Sequence, residues 1–307
     1  MVRLAFVFPG QGAQQVGMGK ELYDHFETAR QVFREADQAA AYSLSRLCFE
    51  GPGEQLDQTE FAQPALLTCS VAAAEVLKQQ GIQAVMMAGL SLGEYSALVS
   101  AGALSFAEAI PLVQRRARLM QAAVPPGEGA MAAVLGLDDI IIQEACEKDP
   151  GIVAIANYNC PGQYVISGQS EAVRRVSDHL REYGGRVMPL AVSVPSHSAM
   201  MKEAADGLRP YLEAASWREP LVPVVSNVNA KTNSASALAD LLVRQLYSPV
   251  KWEHSVRYMI GQVDYFVEVG PGSTLSGLIK KIDKNRVLGQ VNDIKSLEKV
   301  IEKVNSI

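Results

Sequence analysis

Short apolar runs alternate with longer helix-like stretches along most of this chain, and that rhythm leaves few folds open. RLAFVF (3–8) reads as a buried strand. DHFETARQVFREADQAA (24–40) and QPALLTCSVAAAEVLKQQG (63–81) read as helices, the second ending at Gly81. AVMMAG (84–89) is a second strand, followed by helical patterns over 92–101 and 105–121. Strands separated by helices run parallel, and strands covered on both faces are apolar throughout. The expectation is therefore a parallel sheet sandwiched by helices.

The middle of the chain changes rhythm. Strand patterns at 130–136, 152–157, 163–168 and 186–192 are interleaved with helices at 138–148, opened by Asp138, and 170–183. An Asn-Cys-Pro-Gly turn (159–162) joins the second and third strands. This β-α-β-β-α-β order is the ferredoxin-like split unit, entered through Pro-Pro-Gly at 125–127. Alternation then resumes, with helices near 199–215, 236–246, 251–260 and 273–281 and a terminal helix from Asp293. Strands lie at 223–226, 265–270 and 286–289. The chain reads as an α/β domain in two pieces, 1–126 and 197–307, with an α+β subdomain inserted at 127–196.

Composition closes off several function classes. A net charge of −5 over 307 residues gives no general attraction for nucleic acid or an anionic membrane. No 18-residue uncharged apolar run suggests a membrane span. The start, MVRLAFVFPGQG, is broken too early by Pro-Gly to read as a signal peptide. Cys48, Cys69, Cys146 and Cys160 are scattered without metal spacing. Reduced thiols and a cytoplasmic setting are expected.

Gly89-Leu90-Ser91-Leu92-Gly93 places a serine where an apolar strand turns into a helix. That is the context of a nucleophile elbow, and the hydroxyl sits at a helix N-terminus that favours negative charge. The same residues would also serve a plain helix cap. A nucleophilic serine needs a base. His25, His179 and His254 lie in polar helical surroundings. His197, in VSVPSHSAMM, lies in a loop between strand and helix, where α/β sheets keep their chemistry; a structural histidine at a helix start is the alternative. FPGQGAQ (8–14) fails both the phosphate-loop and the dinucleotide patterns. Its backbone N–H groups would instead complete an oxyanion hole with that of Leu92.

One arginine stands out in the helix at 105–121. Arg116 has Leu112, Val113, Leu119 and Met120 at its i±3 and i±4 neighbours, so it is embedded in the apolar stripe. Arg118 lies on a solvated face and Arg115 at the border. A buried arginine needs an anion, and no acidic residue lies within one turn of Arg116. The anion is either a distant structural partner or a ligand.

FPGQGAQ, GLSLGEYSAL, RRARLMQ, NYNCPGQYVISG, VSVPSHSAMM, VRQLYSPVKW and VEVGPG occur in this order over nearly the whole chain. Together they closely resemble the malonyl-CoA:acyl-carrier-protein transacylases of bacterial fatty acid synthesis. The resemblance implies a hydrolase-like domain with a ferredoxin-like insert. It makes Ser91 the acylated nucleophile and His197 its general base. It assigns the oxyanion hole to the backbone N–H groups of Gln11 and Leu92, and the orientation of the histidine to the backbone carbonyl of Gln245. It puts the substrate carboxylate on Arg116, and Asn159 near the acyl or pantetheine region. The implied partners are malonyl-CoA and holo acyl carrier protein, with no metal or redox cofactor.

Two positions depart from the family pattern. Leu90 stands where His usually precedes the serine, and Ala117 where Gly is common. A carrier-protein surface would need local positive charge, and Lys280, Lys281, Lys284 and Arg286 offer it. Three rival functions share these residues: a polyketide synthase acyltransferase, a thioester hydrolase using the same Ser–His pair, and a non-catalytic carrier-binding module.

Overall fold

The computed structural model describes residues 2–192 and 194–307, so Ser193 of the VSVPSHSAMM stretch lies outside the described residues. In chain order the strands are β1 (Leu4–Phe8), β2 (Met86–Gly89), β3 (Gly129–Leu135), β4 (Val153–Cys160), β5 (Gln163–Gln169), β6 (Arg186–Pro189), β7 (Val224–Val225), β8 (Tyr265–Val269) and β9 (Val287–Val291). They form two sheets, one ordered β7-β2-β1-β8-β9 and one ordered β4-β5-β3-β6.

All pairings in the first sheet are parallel. Every residue of β1 and β2 is buried, which explains their unbroken apolar sequences. The helix Thr59–Gln79 packs against Glu27–Ala40, Leu92–Ser100 and Phe106–Ala122. Because the strands are parallel, the turns after β1, β2 and β7 emerge at one carboxyl edge. This is where open α/β sheets bind ligands.

The second sheet is antiparallel throughout. Its strand order and its two helices, Asp139–Lys148 and Ser170–Glu182, are those of the ferredoxin-like unit expected from sequence. The loop before the helix Trp252–Ile260 ties to the second sheet where Val250 bonds the backbone of Ala156 and Tyr158 on β4.

Four expectations are corrected. The helix expected over 24–40 is two helices, Lys20–His25 and Glu27–Ala40, because Phe26 is extended (φ −121°, ψ 124°). The helix expected from 63 begins at Thr59 and accommodates Pro64 within its second turn. The turn expected at Asn159–Gly162 is shorter. Strand β4 runs on through Cys160, with register shifts at Ile155/Asn157 and Tyr158/Cys160 that let it bend. Finally, β6 ends at Pro189 rather than at 192; beyond it Leu190 makes one further backbone bond, to the Met131 carbonyl.

Candidate active site

Ser91 lies one residue beyond β2, after Leu90, and directly precedes the helix Leu92–Ser100. Its backbone has φ 53° and ψ −104°, a conformation that a side-chain-bearing residue rarely adopts. The flanking glycines make the turn possible. A Cβ on Gly89 would lie 1.9 Å from the carbonyl of Gly93, and one on Gly93 would lie 2.1 Å from the Phe8 oxygen. Both faces of the Ser91 peptide are then clamped. Its N–H donates to Asn227 Oδ1 at 2.7 Å, while Asn227 Nδ2 donates to the Gly89 oxygen at 2.7 Å. Its carbonyl accepts from Gln245 Nε2 at 3.0 Å. No side-chain cap bond is made by Ser91, so the hydroxyl is not a helix cap.

The hydroxyl is spoken for by other groups. His197 Nε2 lies 2.9 Å from Ser91 Oγ, and His197 Nδ1 lies 2.7 Å from the Gln245 carbonyl oxygen. A carbonyl only accepts, so Nδ1 carries the proton and Nε2 faces Ser91 with its lone pair. His197 also sits in the left-handed region (φ 61°), and its N–H is tied to the Leu246 carbonyl. Burial, reinforced by the positive charge of Arg116, pushes the imidazole pKa down to about 4. At neutral pH the ring is therefore an uncharged acceptor.

Arg116 is fully buried, 0% exposed, as its place in the apolar stripe predicts. Its direct partners are all neutral. Nη1 donates to Gln63 Oε1 at 2.7 Å, and Nη2 to Gln245 Oε1 at 3.0 Å and to Ser91 Oγ at 3.1 Å. The guanidinium also lies 5.5 Å from the centre of the Tyr95 ring. Its Nε has no partner among the described residues. Burial lowers its pKa, yet an arginine stays protonated under ordinary conditions. A buried cation thus touches the serine hydroxyl with no carboxylate in direct contact among the described residues.

Pro9, Gly10 and Gln11 leave the end of β1 beside this turn. A Cβ on Gly10 would lie 2.5 Å from the Leu90 oxygen, so only glycine allows the approach. The Gln11 side chain joins the Arg116 surroundings through Gln63 at 3.4 Å and also reaches Thr59. Leu92 is the first residue of its helix, where a backbone N–H has no intrahelical acceptor.

The residues 5–301 match the family described as "Acyl transferase domain". The chain is 46% identical to the malonyl CoA-acyl carrier protein transacylase of Bacillus subtilis, over 98% of this chain and 97% of the relative. It is 48% identical to that of Escherichia coli K12, over 98% and 100%. The chain belongs to the acyl transferase family, among its malonyl CoA-acyl carrier protein transacylases. Solved relatives of this transacylase family superpose closely. A malonyl-transacylase in complex with a type II PKS acyl-carrier protein gives a TM-score of 0.95 at 46% identity, covering 98% of this chain and 99% of the other. The transacylase of Clostridium perfringens gives 0.97 at 41% identity, covering 99% and 98%.

Against this transacylase framework, the structure brings Ser91, His197, Gln245 and Arg116 into one hydrogen-bonded cluster. Asn159 does not join it. It lies on β4, buried, with Oδ1 unpartnered among the described residues. Leu90 turns its side chain into the apolar cluster of Ala5, Val7, Cys160 and Trp252. The other three histidines are exposed. Cys160 is buried, and burial raises its thiol pKa, contrary to a nucleophile's need. In the basic patch, Lys281 donates to Gln163, and Arg286 to Asp283 and two backbone carbonyls. Among the described residues no helix is long and apolar enough to cross a membrane.

Sequence reasoning missed Gln63, Asn227, Glu94 and the side chain of Gln245. Gln63 carried one usable signal: it is a polar residue set between apolar neighbours, Phe61 and Ala62 before it and Pro64 to Leu67 after it. Asn227 follows the short strand β7, at the same carboxyl edge as Ser91.

Proposed function

We propose that this chain transfers a malonyl group from malonyl-CoA to the phosphopantetheine thiol of holo acyl carrier protein, through a malonyl ester on Ser91. The observation that carries this reading is Arg116: a buried guanidinium with only neutral partners among the described residues, within hydrogen-bond distance of the nucleophile. A substrate acyl group bearing its own carboxylate supplies the missing anion, and the guanidinium fork suits it.

In the first half-reaction His197 Nε2 takes the Ser91 proton as Oγ bonds to the thioester carbon. The tetrahedral oxyanion accepts hydrogen bonds from the backbone N–H groups of Gln11 and Leu92. Collapse breaks the C–S bond, and CoA leaves as a thiol with the proton from His197. In the second half-reaction the carrier thiol gives its proton to His197 and attacks the ester carbon. The C–O bond breaks, and Ser91 Oγ recovers the proton. The scheme needs only the thioester donor and the thiol acceptor, without metal or redox chemistry. Asn159 is read as a contact for the acyl or pantetheine portion. The setting is read as cytoplasmic, in keeping with four buried free cysteines. A polyketide synthase carrier is a second reading, favoured by the similarity to the transacylase solved with one.

Intact-protein mass spectrometry after mixing with malonyl-CoA tests the proposal. The expected result is a malonyl adduct that requires Ser91, is absent in Ser91→Ala, and disappears when holo carrier protein is added. An adduct cleared equally fast by water alone would make the chain a hydrolase. No adduct at all would overturn the reading.

A further inference from the structure

Ser91 is held in its strained turn by two side chains, and both are anchored to a third. Glu94 is 2% exposed, three residues beyond the nucleophile in the first turn of the helix Leu92–Ser100. One of its oxygens, Oε2, accepts two hydrogen bonds. One comes from Gln245 Nε2 at 2.7 Å and the other from the backbone N–H of Asn227 at 3.1 Å. These are the residues that clamp the Ser91 carbonyl and the Ser91 N–H.

The bond to Glu94 also fixes which way the Gln245 amide points. Nε2 faces two acceptors, Glu94 and the Ser91 oxygen, while Oε1 faces the donor Arg116. Reversing the amide would set a donor against a donor and acceptors against acceptors. The Gln245 backbone meanwhile orients His197. One buried carboxyl group thus anchors the residue that touches nucleophile, base and guanidinium at once.

We propose that Glu94 is a positioning residue for acyl transfer, holding Ser91 through Asn227 and Gln245 and holding Arg116 through the Gln245 amide. The inference rests on the transferase reading above. Its physical content is geometric: an acceptor oxygen at the Glu94 Oε2 position sets the turn, whatever charge the group bears. Burial raises the Glu94 pKa to about 7, so a neutral form is accessible near neutrality, and a neutral acid still offers an acceptor oxygen. The Ser226 hydroxyl lies beside the same carboxyl group.

Two conservative variants separate position from charge. Glu94→Gln keeps an acceptor at the same reach and loses the charge. Glu94→Asp keeps the charge and withdraws the oxygen by one carbon. The measurement is single-turnover acylation by malonyl-CoA and by acetyl-CoA, per acylable site, with carrier-protein KM measured alongside. Wild-type acylation by malonyl-CoA is the control for the underlying function, so failure there is distinct from failure here.

Glu94→Gln is expected to acylate within about threefold of wild type. Glu94→Asp is expected to be slower by roughly 100-fold, the scale of an ångström-sized misplacement. It should also lose most of its preference for malonyl over acetyl, with carrier-protein KM within about twofold of wild type. The reverse order of the two variants would assign Glu94 an electrostatic role and overturn the proposal. Wild-type rates in both, or loss of the folded state in both, would overturn it as well.

Discussion

Two arginines two residues apart on the helix Phe106–Ala122 have opposite surroundings. Arg118 is exposed and paired with Glu60, with 56% and 31% of the two side chains exposed. Arg116 is buried completely and, among the described residues, bonded only to Gln63, Gln245 and Ser91. The exposed cation already has its anion and water besides; the buried one has neither. Charge placed where solvent can answer it stabilises little. Charge placed where nothing neutralises it directly is a recognition element, because its desolvation is already complete before an anion arrives.

That contrast is sharpest in Arg116→Ala. Acylation by malonyl-CoA should fall by roughly 100-fold or more, since charge-assisted hydrogen bonds in a buried site are lost together. Acylation by acetyl-CoA should change by only a few fold. Parallel single-turnover rates with the two thioesters check this, and an equal loss for both would break the contrast.

A smaller effect lies in the pH dependence. The acylation rate should stay level from about pH 8 down to about 5 and fall with a midpoint near 4, where buried His197 takes up a proton. An inflection near 6.5 would mean the imidazole is solvated. Stability follows linkage. The unfolded chain protonates His197 before the fold does, so this residue costs stability as pH falls from about 6.5 to 4. Glu94 acts in the other direction. Its folded pKa is raised to about 7, so the fold binds the proton first and stability falls as pH rises from 4.5 to about 7. The two slopes oppose each other where the windows overlap. Removing His197 by His197→Ala should expose the Glu94 slope, with thermal melting between pH 5 and 7 as the measurement.

The smallest effect is expected for Arg118→Ala. Loss of an exposed ion pair should change stability by less than about 1 kcal/mol. Transfer kinetics should not move.

Much of this was legible in the sequence. An apolar run ending in Gly-x-Ser-x-Gly and followed by a helical pattern gave the Ser91 turn, because strand, turn and helix are local patterns. The i±3 and i±4 neighbours of Arg116 gave its burial for the same reason. Glu94 was not legible. An acidic residue in the first turn of a helix ordinarily reads as a solvated partner of the helix dipole. Here its partners, Asn227 and Gln245, lie 133 and 151 residues away. Likewise, Asn-Cys-Pro-Gly is turn-like chemistry, yet β4 runs to Cys160 because it pairs with β5 and, through Asn157, with Val250. Tertiary pairing overrode the local signal.

Three missing side chains surround the serine. Gly10, Gly89 and Gly93 each leave less than 3 Å for a methyl group against neighbouring backbone. Backbone cannot swing aside as a side chain can, so this seat has no adjustable wall. A single added carbon would jam it rather than tune it. Redesign of acyl preference therefore has to work from movable side chains around the seat, such as Gln63, which bonds Arg116, and leave the seat as it is.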